Sequence, residues 1–376
     1  MKKVVKRKLY GQYFFLVPLL FFVLFWCFFI LYREYLIHQT KSQTAITTPY
    51  GIDTLIKIPI GGYNQWVLIR GENRQNPILL YLHGGPGACL FPYARQIGKM
   101  TEIEKYFVVA YWEQRGTGKS YHPNIPDSSM TIEQLISDTH DISQFLIRHF
   151  NQKRIFLMAR SWGSLIGMLT IQKYPHLFYA YISIGQMVAP LENDQLSFEQ
   201  TVRLAMSFQN HKALKELNKV GPPPYDYRNL LIQRKWLTEF YSKIMNEKNS
   251  AKITGYYTLL RYLLATPEYS VSDLIRIGFD PYFALRQLWN KNFYQYNLFE
   301  LVKRVEIPVY FFAGKYDYFT FSELVQKFYD QLEAPNGKYF FWFKNSGHHP
   351  EFEEPEKFRN IIRDEIVRQF SGEQIY

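Results

Sequence analysis

A serine in a tight turn between two apolar segments is the residue of this chain best placed to act as a nucleophile. Ser161 lies in the sequence Ala-Arg-Ser-Trp-Gly-Ser, after the apolar run 155–158 and before an apolar run with helical spacing. Such a turn crowds the backbone around the serine, so the residues two before and two after it must be small, as Ala159 and Gly163 are. A strand, a sharp turn and a helix in this order predict a serine that forms an acyl intermediate.

A serine hydroxyl needs a general base and an acid that orients the base, and candidates for both lie later in the chain. Asp317 follows the apolar run 309–313 and a glycine turn, which places it at the carboxyl end of a predicted strand. His348 follows the last predicted strand and comes directly after Gly347. We expect His348 rather than the adjacent His349 to be the base. The chain order serine, aspartate, histidine is that of an α/β-hydrolase.

The negative charge that develops on the substrate during acyl transfer needs backbone N–H donors. We expect one donor from Trp162, the residue after the serine, and another from the glycine-rich loop His83-Gly-Gly-Pro-Gly87, which follows an apolar strand. Because glycine lets the backbone approach a substrate closely, we assign the second donor to Gly85.

Strand-like and helix-like segments alternate through most of the chain, which predicts a mostly parallel eight-stranded sheet with helices on both faces. The expected strands are Thr54–Pro59, Trp66–Arg70, Ile78–Leu82, Phe107–Trp112, Ile155–Met158, Ala180–Ile184, Val309–Ala313 and Tyr339–Phe343. The alternation stops between residues 187 and 304, where the pattern is mostly helical. We therefore predict an α/β-hydrolase core at 51–186 and 305–376, with a helical cap at 187–304 inserted after strand 6.

An uncharged apolar run near the N-terminus predicts a membrane-spanning helix. At about 1.5 Å per residue, the run 13–32 spans roughly 30 Å, the thickness of the bilayer hydrocarbon. The basic tail 1–12 precedes it, which predicts a cytoplasmic N-terminus and an external catalytic part. The run is too long for a signal peptide, has no Ala-x-Ala-like cleavage site, and is more apolar than a core helix. These features favour an uncleaved signal anchor, with a linker at 33–50.

Charge and cysteine content narrow the class of protein. The formal net charge is +11, of which the N-terminal tail supplies five, and the remainder is spread along the chain. No nucleic-acid-binding motif is evident, so nucleic acid is not an expected partner. The two cysteines, Cys27 in the apolar run and Cys89 beyond it, cannot pair without breaking the predicted topology. An external domain without a disulfide framework fits a bacterial cell envelope.

Three motifs taken together resemble the proline iminopeptidase (prolyl aminopeptidase) family of α/β-hydrolases. They are His83-Gly-Gly-Pro-Gly87, Trp112-Glu-Gln-Arg-Gly-Thr-Gly-Lys-Ser120 and Arg160-Ser-Trp-Gly-Ser164, and the second has Glu113 where the family has aspartate. The resemblance covers about residues 50–185 and 305–370. It implies a hydrolase with Ser161, His348 and Asp317 as its triad and with no metal or organic cofactor. It also implies removal of an N-terminal residue, often proline, from short peptides.

An aminopeptidase must hold the α-ammonium of its substrate, and a carboxylate is the natural partner. In the resembled family cap glutamates do this, marked by a Trp-x-x-Trp-Glu segment that Trp236-Leu-Thr-Glu-Phe240 matches imperfectly. The candidate substrate-binding residues are Glu239 and Glu192, with Glu199 and Glu268 as further candidates. Arg160, where the family has glycine, could repel an ammonium, attract a carboxylate or point away.

Two other functions stay open beside a membrane-anchored serine hydrolase of the aminopeptidase type. A carboxylesterase or lipase-like hydrolase of small esters or amides would use aromatic cap residues as an acyl pocket; these are Tyr225, Tyr227, Tyr256, Tyr257, Tyr262, Phe279 and Tyr282. A non-catalytic binding protein of the envelope is the third reading, and an incomplete triad would favour it.

Overall fold

An eight-stranded sheet forms the centre of the computed structural model, which describes residues 2–247 and 256–370. The strands are β1 (Ile52–Ile60), β2 (Tyr63–Gly71), β3 (Ile78–Leu82), β4 (Val108–Glu113), β5 (Ile155–Arg160), β6 (Phe178–Ile184), β7 (Val309–Gly314) and β8 (Lys338–Phe343). All eight predicted strands are present, and no end differs from its prediction by more than three residues.

The sheet is mixed, with a parallel major part and one antiparallel edge. Its order is β1-β2-β4-β3-β5-β6-β7-β8, and β2 runs antiparallel to both β1 and β4. Every other pairing, from β4 to β8, is parallel. The antiparallel edge arises because Gly61 and Gly62 both have positive φ angles, which a two-residue hairpin turn requires. The prediction of a mostly parallel sheet is confirmed.

Helices cover both faces of this sheet. The helices of the described chain are α1 (Lys2–Gln43), α2 (Phe91–Thr101), α3 (Ile132–His149), α4 (Trp162–Lys173), α5 (Pro190–Ser207), α6 (His211–Val220), α7 (Tyr227–Glu247), α8 (Tyr256–Ala265), α9 (Val271–Phe279), α10 (Phe283–Leu288), α11 (Leu298–Leu301), α12 (Ser322–Gln331), α13 (Pro350–Glu353), α14 (Pro355–Ile361) and α15 (Arg368–Phe370). Helices α3, α4 and α12 pack against one face, and α2 and α14 against the other. Alternate residues of each buried strand, such as Leu80 and Tyr81, belong to the two opposite cores.

Helices α5 to α11 lie between β6 and β7, and we call residues 187–304 the helical insertion. This is the point in the chain at which the sequence predicted a cap. The insertion has a small core of its own, which includes Leu217, Trp236 and Phe240.

The N-terminal helix α1 is continuous from Lys2 to Gln43, with Pro18 inside it. Its part Val17–Gln43 is long and apolar enough to cross a membrane, judged by length and composition. Large side chains such as Phe21 and Phe28 are more than two-thirds exposed, so this surface is not packed in a protein core. The helix also extends through the first part of the predicted linker 33–50, since it ends only at Gln43.

The end of α1 continues past the apolar run because it docks on the rest of the protein. The Arg33 guanidinium donates hydrogen bonds to the main-chain oxygens of Thr266 and Tyr269. Leu36 and Ile37, which follow on the same helix, are buried as well. These contacts join the apolar helix directly to the helical insertion.

Replacing Arg33 by alanine should therefore destabilise the protein. The change removes hydrogen bonds from a charged donor, each of which is worth about 1.5–3 kcal/mol. We expect the thermal unfolding midpoint of the full-length protein in detergent, followed by near-ultraviolet circular dichroism, to fall by several degrees. Lys41→Ala is the matched control, since Lys41 is an exposed cation on the same helix. Equal shifts in the two variants would contradict the docking contact.

Candidate active site

Ser161 occupies the sharp turn that the sequence predicted between β5 and α4. Its φ angle is +53°, a left-handed conformation that is strained for a residue with a side chain. The turn is fixed by a hydrogen bond of 2.8 Å from the Ser161 amide to the Ile184 oxygen. Gly163 is required here, because a Cβ atom at this position would lie 2.2 Å from the main-chain oxygen of His83.

The structure brings the three predicted reactive side chains into one hydrogen-bonded chain. Asp317 follows the end of β7, and its Oδ2 lies 2.8 Å from His348 Nδ1. His348 follows the end of β8, and its Nε2 lies 3.0 Å from Ser161 Oγ. These distances allow the imidazole to accept the serine proton while the carboxylate fixes its orientation.

Asp317 is held in its charged form although it is buried. Burial raises the pKa of this carboxyl, but the adjacent His348 and the hydrogen bonds from Thr320 outweigh it and hold the pKa below the usual value. Asp317 Oδ1 accepts from the amides of Phe319 and Thr320, each at 2.9 Å, and Oδ2 accepts from Thr320 Oγ1 at 2.8 Å. The aspartate is therefore a fixed anion beside the imidazole.

The neighbouring His349 has a different environment. Burial, and then the nearby Arg160 and His348, lower the pKa of His349 well below its usual value. Its ring accepts a hydrogen bond from the Arg160 guanidinium, whereas the contact with Ser161 Oγ comes from His348. His349 is thus a neutral partner of Arg160.

The two predicted oxyanion donors, Gly85 and Trp162, both line the cavity in front of Ser161. Trp162 begins α4, and the first amides of a helix have no acceptor within the helix. The loop that carries Gly85 is tied to the strand beside it, since His83 Nε2 accepts from the Gln114 amide and the Gln114 side chain donates to the His83 oxygen.

Glu113, which stands where the resembled family has aspartate, joins four parts of the protein from a fully buried position. Its carboxylate accepts from the amides of Leu90 and Phe91 at the start of α2. It also accepts from the Lys119 amide and from the Tyr269 hydroxyl of the helical insertion. Burial raises the pKa of Glu113 to about 7, which these four hydrogen bonds partly oppose.

The cavity at Ser161 has a volume of about 360 Å³ and lies between the sheet and the helical insertion. It is lined by Gly85, Pro86, Gly87, Ala88, Arg160, Ser161, Trp162, Met187, Leu230, Leu231, Arg234, Pro281, Tyr282, Leu285, Trp289, Phe319, His348 and His349. A second cavity, of about 500 Å³ and including Glu133 and Tyr296, contains none of the three reactive side chains.

The glutamates considered as partners of a substrate ammonium do not line this cavity. Glu239 is exposed and pairs with Lys243 one helical turn away, and Glu192 is exposed on the first turn of α5. Glu199 is exposed as well, whereas Glu268 is buried against Arg95. The expectation fails for Glu239 because α7 turns Leu230, Leu231 and Arg234 toward the cavity, and Glu239 lies on another face of that helix.

The sequence did not single out Arg234, Trp289 or Phe319 as cavity residues. The spacing of Leu230 and Arg234 marks one face of α7, but the sequence does not show which face meets the catalytic part. Of the aromatic residues proposed for an acyl pocket, Tyr282 lines the cavity. The side chains of Tyr256 and Tyr257 fall outside the described residues.

In the described chain, no group of three or more His, Cys, Asp or Glu residues is placed to hold a metal ion.

Comparison with known proteins gives a consistent set of similarities. A family described as "Serine aminopeptidase, S33" matches residues 78–242. The protein named Probable aminopeptidase YbaC, from Bacillus subtilis (strain 168), is 33% identical over 309 residues, which cover 81% of this chain and 94% of that protein. A proline iminopeptidase from Lactobacillus crispatus (strain ST1) is 28% identical over 122 residues, which cover 31% of this chain and 38% of that protein.

Among solved structures, the proline iminopeptidase of Mycobacterium smegmatis shares the fold. It superposes with a TM-score of 0.60 at 16% identity, and the match covers 84% of this chain and 98% of that one. The prediction of an α/β-hydrolase fold is confirmed.

Replacing Glu113 by alanine should unfold the region around the glycine-rich loop. The change leaves four donors without their acceptor, three of them buried, and each buried group left unpaired costs about 1–3 kcal/mol. We expect a large fall in the thermal unfolding midpoint and weak expression of Glu113→Ala. Tyr269→Phe, which removes one of the four hydrogen bonds, should have a much smaller effect. An unchanged midpoint for Glu113→Ala would show that this carboxylate does not join these elements.

Proposed function

The chain belongs to the proline iminopeptidase-like serine aminopeptidase (S33) family of α/β-hydrolases, and on this basis we propose that it removes the N-terminal residue from short peptides. The observation that carries the proposal is the hydrogen-bonded chain from Asp317 through His348 to Ser161. A cavity of about 360 Å³ supports a small substrate, since ligand sites of about 300–1,000 Å³ hold small molecules.

In the proposed reaction, Ser161 Oγ attacks the carbonyl carbon of the scissile amide while His348 Nε2 takes the hydroxyl proton. The amides of Gly85 and Trp162 stabilise the negative charge on the tetrahedral intermediate. His348 then gives the proton to the leaving amine, and the acyl group stays on Ser161 as an ester. A water molecule, activated by the same imidazole, hydrolyses that ester and restores the enzyme.

A hydrolase of small esters is the second candidate. The observation in its favour is the largely apolar lining of the cavity, in which Met187, Leu230 and Leu285 lie with Ser161. The alcohol that leaves from an ester depends less on protonation than the amine that leaves from an amide. The same attack by serine would therefore hydrolyse both kinds of bond.

We also propose that residues 13–32 anchor the protein in a membrane, with the basic tail 1–12 in the cytoplasm and the hydrolase outside. The exposed apolar side chains of α1 support an anchor, and the five basic residues that precede the run support this orientation. In this arrangement the core comprises 51–186 and 305–376, and the cap comprises 187–304.

The enzymatic proposal predicts release of naphthylamine from amino-acyl 2-naphthylamides, proline included, by the full-length protein in detergent. Ser161→Ala should abolish turnover, and Asp317→Asn should lower kcat by about 10⁴ because the imidazole loses its orienting anion. Ser207→Ala and Asp330→Asn are matched controls at exposed positions and should keep full activity. Turnover of nitrophenyl esters alone would favour the second candidate, and no turnover of either class or of the free dipeptide Pro-Ala would favour a binding protein.

The anchoring proposal predicts that protease added to spheroplasts digests the hydrolase part, whereas a cytoplasmic marker protein stays intact. The chain should also remain in the membrane fraction after alkaline carbonate extraction. A signal peptide would instead yield a released mature chain that lacks the first residues, which the mass of the purified protein would show. Protection from the external protease would contradict the proposed orientation.

A further inference from the structure

The charged side chains around the cavity are all basic on the part of the wall that the structure describes. Arg160 and Arg234 line it together with Ser161, and no aspartate or glutamate does. A substrate ammonium would therefore find no anionic partner on the described wall of the cavity.

Arg160 is the cation nearest in sequence to the nucleophile. Its Nη2 donates to the His348 oxygen at 3.1 Å, and its Nε lies 3.0 Å from Glu351 Oε1. The Glu351 side chain is 1% exposed and does not line the cavity. Within the described residues, Arg160 Nη1 makes no hydrogen bond. The carboxylate that balances this arginine thus lies behind it, while part of the guanidinium stays unused.

Arg234, on the side of the helical insertion, also pairs with a buried carboxylate, although its Nη1 donates to Ser197 Oγ and Gln233 Oε1. Its Nη2 lies 2.6 Å from Oδ1 of Asp194, a carboxylate whose side chain is 0% exposed. Its guanidinium lies over the ring of Trp289, another residue of the cavity wall, with 5.8 Å between the guanidinium carbon and the ring centroid. Tyr294 also donates to Asp194, which fixes this anion behind the arginine.

Two ion pairs with their cations toward the cavity give it a positive field without a net buried charge. The nearer charge dominates the interaction with a ligand, because the Coulomb energy falls with distance. The N–H groups of Arg160 Nη1 can donate to a substrate carboxylate, and a hydrogen bond between two charged groups is stronger than a neutral one. The geometry favours an anion and disfavours an ammonium.

We propose that the cavity selects peptides that carry a carboxylate next to the scissile bond, with Arg160 as its receptor and Arg234 as a second cation. This inference rests on the proposed peptidase function for its class of substrate. In a dipeptide, the residue that carries the free α-carboxylate directly follows the scissile bond. An enzyme that recognises this carboxylate and cleaves that bond therefore releases the N-terminal residue. The substrate is then positioned from its C-terminal end rather than by its ammonium group.

Binding can be measured apart from catalysis in full-length Ser161→Ala protein, by titration calorimetry in detergent. The probes are the dipeptide Pro-Ala as its free acid and as its C-terminal amide. We expect the free acid to bind at least tenfold more tightly.

The variant that tests the receptor must not leave a lone buried charge, since breaking one side of a buried pair is strongly destabilising. We therefore pair Arg160→Gln with Glu351→Gln, and use the exposed Arg228→Gln on α7 as the control. The paired change should raise the Kd of the free acid to that of the amide and leave the Kd of the amide within about twofold. A purely structural role of Arg160 would affect both ligands alike.

The outcomes separate this inference from the proposed function. Equal binding of acid and amide, tighter binding of the amide, or no binding of the acid would overturn the carboxylate site, even if the Ser161 enzyme cleaves peptides. A retained preference after the paired change would overturn the role of Arg160. A preference for the acid together with no peptide hydrolysis by the Ser161 enzyme would overturn the proposed function and leave the carboxylate site standing.

Discussion

The hydrogen bond between Asp317 and His348 is the contact on which the rest of the site depends. It joins two loops that follow neighbouring parallel strands, β7 and β8, and these loops meet only because glycines allow it. A Cβ atom at Gly314 would lie 1.9 Å from the oxygen of Gly347, and one at Gly347 would lie 2.3 Å from the ring of Tyr241. The ends of the sheet can thus hold aspartate and histidine at 2.8 Å, with the histidine directed at Ser161.

Several charged side chains are buried near this contact. Their burial is possible because almost every one of them has a partner of opposite charge. Asp317 has His348 and two main-chain amides, Arg160 has Glu351, and Arg234 has Asp194. Glu113 is compensated by hydrogen bonds alone, and its pKa rises to about 7 as a consequence of burial. The hydrogen bonds of Glu113 form a separate cluster, which ties the start of α2 and the helical insertion to the sheet.

Much of the sheet and of the reactive centre could be predicted from the sequence, because both depend on local pattern. Apolar runs showed the strands, and the small residues Ala159 and Gly163 showed the turn at Ser161. The direction of β2 did not follow from alternation, although the pair Gly61-Gly62 is a hairpin signal. The wall of the cavity could not be predicted, since it depends on how α7 is rotated against the sheet. That rotation brings Arg234 to the cavity and leaves Glu239 in solvent.

The most direct measurement is mass spectrometry of the full-length protein after reaction with a fluorophosphonate. The reagent is attacked by an activated serine and leaves one phosphonyl group on it. The structure predicts a single adduct on Ser161, and no adduct on the nearby Ser164, whose hydroxyl is hydrogen-bonded inside the protein. The absence of an adduct, or an adduct at another serine, would contradict the claim that Asp317 and His348 activate Ser161.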